Sequence, residues 1–337
     1  MAKSVRMADI AKQLGVSTVT VSKALSNQKG VSEEMREKIK ALAEEMGYKT
    51  STAVKNETKR SYNIGLVVLE TYIEKYSSFY WEFYQKINIS AGRENCFVIL
   101  EVLEANSERD LVVPKVVQES KIDGLMILGR LTTEYLTMLQ KKAKVPVVYM
   151  DFYDQKAMAD SIISNSFYGA YNITSYLVEM GHRKIGFVGT LLATESITDR
   201  YLGYVKAMME NGEEPKKEWL IQDRESHIRI FEKLELPEDM PTAFVCNSDL
   251  TASGLIKTLN EKGYRVPEDV SVVGYDDYLY PGLCDIGITT YSVDMERMAQ
   301  LGSEILMQRI EGSTLPCSMQ VVEGKLVLRE SVKHIRY

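Results

Sequence analysis

The chain has 337 residues, 45% hydrophobic and 26% charged, enough for more than one folding unit and balanced as in globular proteins, not disordered ones. No apolar run approaches the roughly 18 residues a membrane span needs, and the start, Met1-Ala2-Lys3-Ser4-Val5-Arg6, has no apolar signal core, so a cytoplasmic protein without a membrane partner is expected. Cys96, Cys246, Cys284 and Cys317 lie far apart without CxxC spacing, which indicates neither a zinc ribbon nor a disulfide framework. The net charge of −6 is uneven: residues 1–60 hold twelve Lys/Arg against seven Asp/Glu, a balance of +5, and the rest carries −11. A basic head on an acidic body suits a nucleic-acid contact confined to the head, although chance over so short a stretch would look the same.

In chain order, Ile10, Ala11 and Leu14 share one helical face, closed by Gly15, which can take the left-handed conformation that ends a helix. Ser17 is placed to cap a second helix, from Thr18 to Ser26. Val16, Val21, Ala24 and Leu25 fall inward there, leaving Thr18, Val19, Ser22 and Lys23 as an outward strip. Ser32 caps a third helix, with Glu33 and Glu34 near its positive end. Met35, Ile39, Leu42, Ala43 and Met46 give that helix its apolar face, up to Gly47. A small Ala11, a turn glycine and an inward Val21 describe a helix-turn-helix, whose second helix offers its outer strip to the major groove. A plain helical bundle is the competing reading.

The run Val16-Ser17-Thr18-Val19-Thr20-Val21-Ser22-Lys23-Ala24-Leu25-Ser26, with Gly30-Val31-Ser32 and Met46-Gly47-Tyr48, resembles the head of the lactose-repressor (LacI/GalR) family of bacterial transcription regulators. The resemblance implies that Thr18, Val19 and Lys23 read bases, and that Ser17, Thr20, Ser22, Asn27, Ser32 and Tyr48 contact or position phosphates. Lys23 can donate to guanine O6 and N7, whereas Val19 offers only an apolar contact to a thymine methyl. The join departs from the family pattern. Residues 49–61 contain no proline, and Glu57, or Asn56 on a shifted alignment, stands where a minor-groove leucine is expected. A carboxylate there meets phosphate repulsion and cannot wedge a base step apart. A flexible tether and a hinge helix remain equal readings of this stretch.

Beyond the join, β-rich apolar runs alternate with helical stretches. Residues 62–69, 97–100, 124–128 and 146–150 read as buried parallel strands of one lobe, and 184–189, 242–246 and 270–274 as those of a second. The expected fold is thus a small all-α helix-turn-helix head (1–48), a linker (49–61) and a two-lobed, doubly wound α/β body (62–337). The first lobe would take about 62–161 and 292–320, the second about 162–291 and 321–332. Ligands in such folds sit beyond the carboxyl ends of the strands.

Those strand ends carry Asp151, Asn247-Ser248-Asp249 and Asp276-Asp277, and Arg200 opens the helix after the strand at 184–189. Asp and Arg can each pair bidentately with neighbouring hydroxyls, although an Asp after a strand is commonly only a cap or turn residue. Gly181-His182-Arg183-Lys184-Ile185-Gly186 and the stretch from Val266 to Asp277 resemble two landmarks of the same family's periplasmic-binding-protein-like effector core. The resemblance runs from about residue 5 to 332, broken only at the join. It implies that Asp151, Arg200, Asp249 and Asp276 line the effector pocket, with Ser248, which stands where the lactose repressor itself has an asparagine, beside them. Phe79 or Tyr80 is the expected stacking platform for a sugar ring, with Phe152, Tyr153, Phe167, Tyr168 and Tyr278 as further candidates and core packing as the alternative for each.

Enzymatic readings fare badly. Three histidines, His182, His227 and His334, form no HExxH, and there is no P-loop or GxSxG elbow. No cofactor or metal is expected. The sequence therefore reads as a homodimeric transcription regulator, expected to be a repressor, binding a near-palindromic double-stranded operator. A small neutral sugar or oligosaccharide held between the lobes would control it. A sugar-binding receptor without a DNA role is the alternative, and it would have no use for the head.

Overall fold

The computed structural model describes residues 5–26, 28–46, 48, 60–73, 78–156, 158–225, 233–278 and 284–335. Two compact units, residues 1–61 and 62–337, are distinguished. In the first, α1 (Met7–Leu14), α2 (Thr18–Leu25) and α3 (Glu33–Glu45) bury Ile10, Ala11, Val21, Ala24, Ile39 and Ala43 against one another. Gly15 ends α1 at φ 66, a left-handed conformation that an L side chain resists. The Ser17 hydroxyl accepts from the Thr20 N–H at 3.1 Å and the Ser32 hydroxyl from that of Met35 at 3.4 Å. Each satisfies a donor the helix start cannot.

The second unit holds two six-stranded sheets. One contains β1 (Tyr62–Leu69), β2 (Cys96–Leu103), β3 (Gly124–Leu128), β4 (Val147–Met150), β5 (Asp160–Ser164) and β11 (Met319–Val322), in the order β2-β1-β3-β4-β5-β11, all parallel. The other contains β6 (Ile185–Val188), β7 (Leu220–Ile221), β8 (Ala243–Cys246), β9 (Ser271–Asp276), β10 (Thr289–Ser292) and β12 (Lys325–Val327), in the order β7-β6-β8-β9-β10-β12. Only β12 runs antiparallel.

Period-two alternation lets each buried strand serve two layers. In β3, Met126 and Leu128 join the core with α4 (Phe79–Arg93) and α10 (Met295–Ile310), while Leu125 and Ile127 join that with α5 (Lys115–Gln118) and α6 (Thr133–Ala143). In the second lobe α7 (Ser166–Glu179) and α8 (Glu195–Glu210) pack together and α9 (Asp249–Glu261) packs on β9. The chain passes between the lobes three times: from β5 into α7, from β10 into α10, and from β11 into β12. Strand order reverses between β1 and β3 and again between β6 and β8, so both lobes present their switch points from the carboxyl ends of their strands.

Candidate functional site

On the head, the strip of α2 facing away from the core is Thr18, Val19, Ser22 and Lys23, all exposed. Val19 is 60% exposed, an apolar side chain left in water on a helix whose other valine is buried. Ser17 and Ser32 are occupied as caps, and the Thr20 hydroxyl bonds that of Ser17 at 2.8 Å. Tyr48 is half-buried against the head core. Asn27 and residues 49–59, with Asn56 and Glu57, lie outside the described residues. The sequence reading passed over Arg36. It is buried in α3 and donates to the carbonyls of Ala24 at 3.3 Å and Gln28 at 3.0 Å, pinning the end of α2 and the loop after it. Its signal was its place on the Ile39–Ala43 face, where a charged side chain needs a partner.

In the body, three carboxylates at strand ends stand on left-handed backbone: Asp151 at φ 70 after β4, and Asp276 at φ 102 and Asp277 at φ 59 at the end of β9. Side chains rarely tolerate that region, Asp and Asn best. Arg200 on α8, almost fully buried, reaches Asp276 Oδ1 at 3.1 Å. It donates as well to the Asn247 carbonyl and lays its guanidinium 3.7 Å over the centre of the Tyr275 ring. From the first lobe, the Tyr80 hydroxyl donates to Asp151 Oδ2 at 2.9 Å. Loss of water pushes the Asp151 carboxyl up to about 6, against the opposing pull of Arg200 and the Tyr80 hydrogen bond. The same loss of water pushes Asp276 up to about 7, against Arg200 and reinforced by Asp151. The Arg200 guanidinium thus pairs with Asp276 of its own lobe, and its charge also acts on the Asp151 carboxyl of the other.

The other candidates divide. Phe79 is buried in the core, edge-on to Tyr80 and Phe83, so Tyr80 is the one that reaches the cleft group. Ser248 caps α9 by accepting from the Thr251 N–H at 3.2 Å. Asp249 lies inside the second lobe, its Oδ2 accepting from the Tyr278 N–H at 2.9 Å. Burial, then Asp276, holds its carboxyl well above the usual range. Phe152 stacks on Tyr149, Tyr278 is buried, and Phe167 and Tyr168 are exposed on α7.

Asn247 ties the second lobe's side of the cleft together. Its amide donates to Val188 O at 3.0 Å and to Asp223 Oδ2 at 2.8 Å, and its Oδ1 accepts from Arg224 at 3.2 Å. Asp223, fully buried, also takes hydrogen bonds from the Thr190 N–H, the Thr251 hydroxyl and Arg224. A third arginine, Arg130 after β3, is held by Asp154 at 3.0 Å, Thr133 at 3.2 Å and the Tyr153 carbonyl at 3.1 Å. Its Nε lies 3.4 Å from Glu195 at the start of α8, so this pair spans the two lobes. Among the described residues no group of three His, Cys, Asp or Glu is placed to hold a metal. No described helix is long and apolar enough to cross a membrane.

Comparison with known proteins fits this arrangement at both ends. Residues 6–51 match the model of bacterial regulatory proteins of the lacI family, and residues 174–332 that of a periplasmic binding protein-like domain. The HTH-type transcriptional repressor PurR of Pectobacterium carotovorum is 30% identical over 333 residues, covering 96% of each chain. Among solved structures, the transcriptional regulator CelR in complex with cellobiose aligns with TM-score 0.68 at 22% identity, over 97% of this chain and 99% of that one. The lac repressor dimer bound to operator and the anti-inducer ONPF aligns with TM-score 0.65 at 23% identity, over 98% and 100%. By its sequence likeness along nearly the whole length, the chain belongs to the LacI family of bacterial regulatory proteins: it is a DNA-binding transcriptional regulator with an effector-binding body, not an enzyme.

Proposed function

We propose that this regulator is a homodimeric repressor whose hold on a near-palindromic operator is set by a neutral sugar bound between the lobes of residues 62–337. The observation that carries the reading is the buried Arg200 facing Asp151 of one lobe and Asp276 of the other. Such a cleft offers paired donors and acceptors to hydroxyls, with the Tyr80 ring beside them. A phosphorylated ligand would meet two carboxyls for each arginine, whereas a polyol can accept from Arg200 and donate to both aspartates. The similar fold of CelR holds cellobiose in its complex.

In this reading Thr18, Val19 and Lys23 read bases, while Ser17, Thr20, Ser22, Asn27, Ser32 and Tyr48 set the register on phosphates. Ser248 and Asp249 support the pocket from the second lobe and Phe79 backs Tyr80. Residues 1–48 act as the DNA-binding domain and 49–61 as the link. The effector can change operator affinity only through its different affinity for open and closed bodies. Calorimetry of the full chain against sugars, purines and sugar phosphates, with anisotropy of labelled operator fragments in parallel, tests this. A neutral sugar should bind and shift the DNA isotherm. Binding of a purine or sugar phosphate with no response to any neutral sugar overturns it.

A further inference from the structure

We propose that Arg36, buried in the head and outside the exposed strip of α2, is a positioning residue for base recognition by Lys23, so that sequence preference at the base pair Lys23 reads depends on a side chain behind it. The inference rests on the reading of bases by Lys23 proposed above and deepens it. Helix α2 has eight residues, too few to hold itself in water, and the carbonyls of its last turn have no partner within the helix. Two of them are served from outside it. The Gln28 N–H donates to the Lys23 carbonyl at 2.9 Å, and Arg36 donates to the Ala24 carbonyl at 3.3 Å and to that of Gln28 at 3.0 Å. Arg36 thus grips both the residue after Lys23 and the residue that holds Lys23. The arrangement suits the guanidinium as well, because a buried charge needs partners and the carbonyl end of a helix favours a cation.

The tie reaches the Lys23 side chain too. Gly30 stands on left-handed backbone at φ 105, and a Cβ there would lie 3.9 Å from Lys23 Nζ. The ammonium therefore rests beside the loop that Arg36 holds through Gln28. The two ends of α2 are held differently. Its first turn, with Thr18 and Val19, is fixed by the Ser17 cap and by Val21 in the head core. Its last turn gives that core the small Ala24 and a half-buried Leu25, and its carbonyls depend on Gln28 and Arg36. Helix ends open before helix centres, and a hydrogen bond to a base edge is lost once the donor stands beyond about 3.2 Å. Without the guanidinium the last turn loosens, and Lys23 loses its base while Thr18 and Val19 keep theirs.

The test is selection of bound duplexes from a randomised pool by the full-length protein, followed by sequencing, for wild type, Lys23→Ala, Arg36→Met, Arg36→Lys and the double variant Lys23→Ala with Arg36→Met. Binding to an unrelated duplex at low salt, with amide exchange in α1, shows that each head is folded. Lys23→Ala marks the base pair that Lys23 reads by flattening the preference there. Arg36→Met should lower preference at that same pair about ten-fold and leave the pairs that Lys23→Ala does not move as in wild type. The double variant should select as Lys23→Ala does, because both changes act through one contact. Arg36→Lys, one ammonium in place of a planar fork, should fall between, and it is judged by the same comparison if Arg36→Met binds no duplex. Preference lost evenly across the site, or kept in full at the Lys23 pair by Arg36→Met, overturns the positioning role and leaves Lys23 as a base reader. Selection of wild-type sequences by Lys23→Ala overturns the base reading and the inference with it.

Discussion

Arg200 is buried with three different environments around one guanidinium: a carboxylate, a backbone carbonyl and an aromatic face. Its removal leaves Asp276 without its ion pair in a dry cleft, and in the proposed pocket the loss of its hydrogen bonds to ligand hydroxyls would be worth on the order of 2–4 kcal/mol. Arg200→Ala should therefore abolish the effector response while operator binding persists, since the side chain belongs to the body and the exposed α2 strip to the head. A mutant that still responds at the wild-type effector concentration places Arg200 outside the pocket. On the head, Lys23 is exposed at the end of the Thr18–Val19–Ser22 strip. Lys23→Ala should lose roughly 1–3 kcal/mol on the cognate operator and relax sequence preference. Equal losses on cognate and scrambled duplexes would mean that Lys23 touches phosphate alone.

At the scale of elements, the head was legible because its signals are local: Ser17 and Ser32 cap, Gly15 stops, and Ile10, Val21 and Ile39 recur on helical faces. The central strands were legible as continuous apolar runs, as parallel strands covered on both faces must be. What escaped carries buried polar residues satisfied from far along the chain. Asp160 opens β5 and is paired with Arg309 of α10 at 2.7 Å and with the Ser318 N–H at 2.8 Å. Thr289 opens β10, its N–H bonded to Ser331 and its hydroxyl to the Arg329 backbone. Neither strand advertises itself when its partners are unseen. For the same reason Asp151, Arg200 and Asp276 could be picked out as charged residues at strand ends, while Asn247 as a tie and Arg130–Glu195 as an interlobe pair could not. Arg36 belongs to this class and gives an element-scale prediction. Arg36→Met leaves the carbonyls of Ala24 and Gln28 without their side-chain donor, at a cost of about 1–3 kcal/mol to the head. Hydrogen exchange of the full chain should show faster exchange in peptides covering α2 and α3, with the body unchanged. Exchange indistinguishable from wild type would show that the loop holds without Arg36.

For the molecule as a whole, the two cleft carboxyls link the stability of the body to pH. Asp151 is raised to about 6 and Asp276 to about 7, against about 4 in an unfolded chain. The folded body therefore holds protons that the unfolded chain releases. The stability these groups contribute is fully present below about pH 4 and is lost as pH rises through 6 and then 7. Asp223 runs the other way: its carboxyl is lowered, opposing its burial, by hydrogen bonds from Arg224 and Asn247 and the Arg224 charge, so its contribution is lost only in stronger acid, outside that window. Both tryptophans, Trp81 and Trp219, belong to the body, so tryptophan fluorescence follows its melting without the head. Between about pH 5.5 and 8 the ligand-free wild type should lose melting temperature more steeply than Asp276→Asn, which carries no titrating group at that place. A ligand that donates hydroxyl hydrogen bonds to the ionised carboxylates should bind more tightly at the alkaline end, releasing protons as it does. Parallel melting curves for wild type and Asp276→Asn, with effector affinity flat across the same range, would show that Asp276 titrates as an ordinary surface carboxylate and that no proton linkage runs through the cleft.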